Sequence, residues 1–171
     1  MPEAKLPEVW LRGPLHGISP YLQPIAHALL QAKEEVKEMM SDFSESKLWE
    51  QPGGVASPAF HLQHLPGVLN RLFTYANGQG LSVEQLEFLK AEGIKDDNLT
   101  LQTLLERFEK QIEHCIKQLQ ETDESTLTDF RAVGRAKLPS TVLGLLTHGA
   151  EHTMRHVGQL LVTTKIIESA N

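Results

Sequence analysis

Five of the eight histidines in this chain fall in two short stretches. His61 and His64 lie in Phe60-His61-Leu62-Gln63-His64-Leu65, and His148, His152 and His156 recur every fourth residue. A four-residue step returns to nearly the same side of an α-helix, advancing about 40°, so the row 148, 152, 156 climbs one face. Any adjacent pair of that row can aim two imidazoles at one ion. Imidazole suits zinc, nickel, iron or copper, and three protein ligands leave positions free for water or substrate. Such a centre supports Lewis-acid activation of a water or of a substrate thiolate.

The remaining histidines, His16, His27 and His114, read as surface or packing residues. His148-Gly149-Ala150-Glu151-His152 also fits the inverted zinc-peptidase pattern H-x-x-E-H, with Glu151 as general base. That chemistry needs a third ligand and a larger surrounding domain than this chain offers. Glu151 and Gln159, helix neighbours of the histidines, are candidates to accept the second N–H of a metal-bound ring. Arg155 reads as half of a surface salt bridge, with contact to an anionic substrate as its other use.

Hydrophobic periodicity supplies the elements that must carry these residues. Ile25, Ala26, Leu29, Leu30, Val36, Met39 and Met40 follow the i, i+3, i+4, i+7 pattern of a first long helix, from Leu22 to about Phe43. After the Gln51-Pro52-Gly53-Gly54 loop, Ser57-Pro58 places a capping hydroxyl before a proline at the first helical position. Leu62, Leu65, Leu69, Leu72, Phe73 and Ala76 form the buried stripe of that second helix, and Pro66-Gly67 predicts a kink within it. A short helix is expected over 82–91. A third long one starts near Thr100 and carries Leu104, Phe108, Ile112 and Leu119. The polar segment 121–137 reads as a connecting loop, and Pro139-Ser140 as the opening of a last helix that runs to about Ile167. No strand alternation stands out. The expected fold is therefore all-α, a four-helix bundle with a short extra helix. It occupies 1–171 as a single domain, with 1–18 as an extended N-terminal segment.

The composition excludes several function classes. The formal charge of −6 leaves no basic excess to neutralise phosphates, so nucleic acid is not an expected partner. No polybasic run or 18-residue apolar stretch points to a membrane. Met1-Pro2-Glu3-Ala4-Lys5 does not open an apolar leader, and the single cysteine, Cys115, has no partner for an internal disulfide. A reducing cytoplasm is the expected compartment.

At about 100° per residue, His152 and His156 lie roughly 80–120° from the centre of their apolar face, His64 about 110° and His61 about 50° from theirs. Both sets flank a buried stripe, which predicts a centre bordering a cleft. Phase alone favours His61 over His64 as the inward residue of the second helix.

The stretch from Leu138 through His148, His152 and His156 to Gly158-Gln159 resembles the final helix of DinB/YfiT-like proteins, where two histidines four apart precede Gly-Gln in many members. Ser57-Pro58-Ala59-Phe60-His61-Leu62-Gln63-His64-Leu65 is similar to that family's other motif, a His-Leu step about two turns into the helix. The resemblance implies an up-down-down-up bundle and, often, a homodimer. It also implies a divalent metal ion, zinc or nickel foremost, held by His64, His152 and His156, with His61 as a supporting or substitute residue. It implies metal-dependent hydrolysis or thiol transfer on a small molecule. The alternative is a non-catalytic metal-binding or stress-response bundle.

Overall fold

The computed structural model describes residues 6–170. Residues 1–5, which carry the expectation of no apolar leader and the start of the expected extended segment, lie outside the described residues. The chain forms five α-helices and one small sheet in the order α1 (Gln23–Met40), α2 (Pro58–Ala76), α3 (Val83–Ala91), α4 (Leu101–Glu121), β1 (Phe130–Val133), β2 (Leu138–Thr141) and α5 (Val142–Ser169).

Local chemistry explains where the helices begin. The Ser57 side chain accepts from Phe60 N, with Pro58 at the first helical position, so α2 starts as its sequence dictates. Ser82 and Gln85 form a reciprocal capping box on α3, and Thr100 and Thr103 do the same on α4. Pro66 is retained inside α2, which runs unbroken through it.

The segment before α5 departs from the sequence expectation. Leu138–Thr141 is not the first turn of the last helix but a strand, paired antiparallel with Phe130–Val133. The expected connecting loop therefore contains half of a hairpin, which turns through Gly134 and Lys137, both at positive φ. Pro139 faces Ala132 on a two-stranded ribbon, where a proline needs no ladder donor on its outer edge. The helix starts instead at Val142, capped by the Thr141 side chain, which accepts from Gly144 N. Residues 6–18 are also less extended than expected: Val9–Arg12 forms a 3-10 turn, and Arg12 pairs with Glu34 on α1.

One core joins the four long helices. Leu29, Val36, Leu62, Leu69, Phe73, Leu104, Phe108, Ile112, Leu146 and Leu160 are nearly or fully buried in it. Helix α2 packs against α5 and α4, and α1 against the same two, so α1 stands diagonal to α2 and α4 diagonal to α5. Residues on α2 and α5 meet in opposite chain order, His61 with His156 and His64 with His152. Residues on α2 and α4 meet in the same order, Asn70 with Gln111 and Asn77 with Gln118. Helix α3 covers one side of α2. No helix among the described residues is long and apolar enough to cross a membrane.

Candidate metal centre

The antiparallel contact of α2 with α5 sets two histidine rows face to face. His64 Nε2 lies 2.9 Å from His152 Nε2, and the His156 ring lies 4.5 Å from that of His64 and 4.6 Å from that of His152, centroid to centroid. One ring nitrogen from each of His64, His152 and His156 falls within 4.8 Å of the others. All three are half-buried, which fits a centre on the flank of the core rather than in its middle. Phe60, one turn before His64 on α2, stacks on that ring at 5.3 Å and 10°.

Two of the three clustered rings are held at their other nitrogen by specific partners. His64 Nδ1 lies 2.6 Å from Glu92 Oε2, and Arg71 Nη1 donates to Glu92 Oε1 at 2.5 Å. The Glu92 side chain is only 5% exposed, so this carboxylate sits between a histidine and a guanidinium away from water. An ionised carboxylate only accepts, so His64 carries a hydrogen on Nδ1 there, and its Nε2 is the nitrogen turned toward the cluster. His156 Nδ1 lies 3.0 Å from Nδ1 of His61, which is 3% exposed. His152 Nδ1 is buried with no hydrogen-bond partner, so the only polar contact of that ring runs through the Nε2 that faces His64.

The backbone around Glu92 is built for this contact. Gly93 N donates to Gln63 Oε1 at 2.8 Å, which ties the end of α3 to α2. A Cβ on Gly67 would overlap the Glu92 carboxylate and approach Arg71 Nη1 and Phe88 at 2.8 Å, so only glycine leaves room for the ion pair. The sequence reading missed Glu92, Arg71 and Gly67. Glu92 follows the last turn of a short helix with no periodic signal, and Gly67 had been assigned to a kink.

Burial and neighbouring positive charge favour the neutral form of His61, His152 and His156. Burial pushes His61 down to about 4, helped by the charge of His64. Burial, then the charges of His64, His152, His61 and Arg155, takes His156 to about 4. Burial, then the charges of His64, His148 and Arg155, lowers His152, with the Glu151 carboxylate opposing. A neutral imidazole is the form that binds a metal. Three imidazoles with converging nitrogens, two of them fixed from behind, are a donor set that could hold a divalent ion.

The other sequence candidates fall elsewhere. His148 is 51% exposed in its side chain, with Nδ1 3.4 Å from Glu151 Oε2. With His152 these two form a second group whose ligand atoms lie within 4.8 Å, but two of its three members are exposed. Glu151 does not reach the back of any ring in the main cluster. It pairs with Arg155, whose guanidinium lowers the Glu151 carboxyl, so the surface salt bridge expected of Arg155 is present. Gln159 is exposed and plays no part in the cluster. His61, favoured by helix phase as the inward residue, is indeed the more buried of its pair, yet it stands behind His156 rather than in the converging group. His16 and His114 are exposed, and the His27 ring meets Gly13 O at 3.1 Å, remote from the cluster.

Comparison with known proteins agrees with the resemblance carried by the two histidine motifs. No curated protein sequence matches the chain. The model of the DinB superfamily matches residues 28–160, a span that includes α2 and the whole histidine row on α5. The chain belongs to the DinB superfamily.

Proposed function

We propose that this protein binds one divalent metal ion through His64, His152 and His156 and uses it for hydrolysis or thiol transfer on a small molecule. The observation that carries this reading is the convergence of the three rings, with His64 Nε2 and His152 Nε2 2.9 Å apart and the opposite nitrogen of His64 fixed by buried Glu92. Zinc and nickel are the preferred ions, since neutral imidazoles suit both. An ion held there supplies Lewis acidity toward a water or a thiol, with coordination positions left open by a three-residue donor set.

The chain's own residues do the rest. Glu92 holds the His64 ring in one tautomer and one orientation, and Arg71 holds Glu92. His61 does the same for His156. Phe60 covers one face of His64 and limits water on that side. The helix directions support an up-down-down-up four-helix bundle in which α2 and α5 contribute the ligands. Its half-buried flank gives a small substrate access that a sealed structural site would deny.

The test is a panel of ester, amide and thiol-transfer substrates assayed on metal-loaded protein and on His152→Ala. The reading requires that His152→Ala lose both metal and turnover; turnover retained without metal would discard it. A chelator-induced fall in melting temperature with no turnover on any substrate would favour the non-catalytic alternative, because an ion bound only by the folded state stabilises it.

A further inference from the structure

A second feature of the molecule lies beside the histidine cluster and shares only Arg71 and Gly67 with the support of His64. Between α2, α3 and α4 lies a cavity of about 390 Å³, inside the range of roughly 300–1,000 Å³ common to small-molecule sites. Its floor is apolar, made by Pro66, Gly67 and the Phe88 ring. Three cations, Arg71, Arg107 and Lys110, line it against one carboxylate, Glu84. That is a local positive excess on a chain whose formal charge is −6.

Two of those cations are uncommitted. Among the described residues Arg107 and Lys110 form no ion pair and no hydrogen bond, though they stand almost one turn apart on α4 and point charge at the same space. Arg71 is buried and gives only Nη1 to Glu92. The wall between them is fixed rather than loose. Gln85 Nε2 donates to Asn70 Oδ1 at 2.5 Å and to Thr74 Oγ1 at 2.7 Å, and Asn70 Nδ2 donates to Gln111 Oε1 at 3.3 Å. An apolar floor, a held amide wall and unpaired cations at the rim match a ligand with an apolar body and an anionic head.

We propose that the cavity between α2, α3 and α4 binds a small organic anion with an aromatic or other apolar body. The head meets Arg107 and Lys110, and the body lies over Phe88. The proposal is independent of the metal reading, because none of the three clustered histidines lines this cavity.

The probe is 8-anilinonaphthalene-1-sulfonate, compared with N-phenyl-1-naphthylamine, which has the same rings and no charge. Both are titrated by fluorescence into the full-length protein. The sulfonate is expected to bind the wild type, and Arg107→Glu with Lys110→Glu to weaken it by about tenfold or more. The neutral dye should move by less than about threefold, as should the sulfonate on a distant control pair, Lys37→Glu with Lys47→Glu, of equal charge change. Phe88→Ala should weaken both dyes. Arg107→Gln with Lys110→Gln, milder and at exposed positions, should weaken the sulfonate in the same direction and covers any misfolding of the reversed pair. The proposal is overturned if the wild type does not bind the sulfonate, or if the paired substitutions leave its affinity unmoved. Equal losses for the neutral dye or for the distant control pair would overturn it as well, since either would mean a site elsewhere or a bulk charge effect.

Discussion

His61 and His156 share a hydrogen bond through like atoms, Nδ1 to Nδ1 at 3.0 Å, so one ring must donate there and the other accept. If His156 presents its Nε2 lone pair to an ion, its Nδ1 carries the hydrogen and His61 is the acceptor. His61 then supports a ligand without being one. Replacing it by leucine should leave one ion per chain while weakening metal affinity by about 10- to 100-fold, the usual effect of removing such a support. Competition with a chromophoric chelator measures this. A chain of His61→Leu that binds no ion would make His61 itself a ligand.

Glu92 should behave in the same way on the other side of the cluster. Glu92→Gln keeps the shape but can no longer offer two anionic oxygens to His64 and Arg71, which now meet at 2.6 and 2.5 Å. Metal affinity is expected to fall by about 10- to 100-fold with stoichiometry preserved. Unchanged affinity in a folded Glu92→Gln protein would remove Glu92 from the account.

Two glycines on opposite helices separate crowding from propensity. Gly67→Ala puts a Cβ into the Glu92–Arg71 pair and Phe88, so it should cost about 1–3 kcal/mol of stability. Gly158→Ala on α5 meets nothing within 4 Å, and alanine should stabilise the helix there by up to about 1 kcal/mol. Urea midpoints read both. The same sign at the two positions would contradict the packing described around Glu92.

Acid should destabilise the metal-free protein, and the sign follows from the histidines. His61 and His156 are neutral in the fold, held down to about 4 from an ordinary value of 6.5. The unfolded chain therefore binds more protons through that window. Their contribution is intact above pH 6.5 and is lost as pH falls from there through about 4. Urea midpoints in the presence of a chelator should drop between about pH 7 and pH 5, and less steeply in His61→Leu. Equal slopes in the two proteins would show that His61 does not bury a neutral ring.

Much of this arrangement was legible in the sequence, for identifiable reasons. Helices α1, α2 and α4 announce themselves by period, and Ser57-Pro58, Ser82 and Thr100 mark the starts of α2, α3 and α4 with capping side chains. The histidine row on α5 is visible because a spacing of four has a direct meaning on a helix. The hairpin 130–141 was not legible: its strands are four residues each, too short for alternation to register, and Pro139 looked like a helix opener. Glu92 was hidden for a different reason. It reaches His64 only through the docking of α3 on α2, a tertiary contact between partners 28 positions apart in sequence. Helix phase correctly made His61 more buried than His64, but burial was the wrong criterion, because a ligand to an accessible ion needs the flank rather than the centre of the stripe.

The central claim is that His64, His152 and His156 jointly hold one ion. Its most direct test is elemental analysis of protein purified without a histidine tag, in the wild type and in His64→Ala, His152→Ala and His156→Ala. The account predicts one zinc or nickel per wild-type chain and less than about a tenth of that in each variant, with far-ultraviolet circular dichroism unchanged. Full occupancy in His64→Ala, or a wild-type chain with no stoichiometric metal after incubation with either ion, would contradict it.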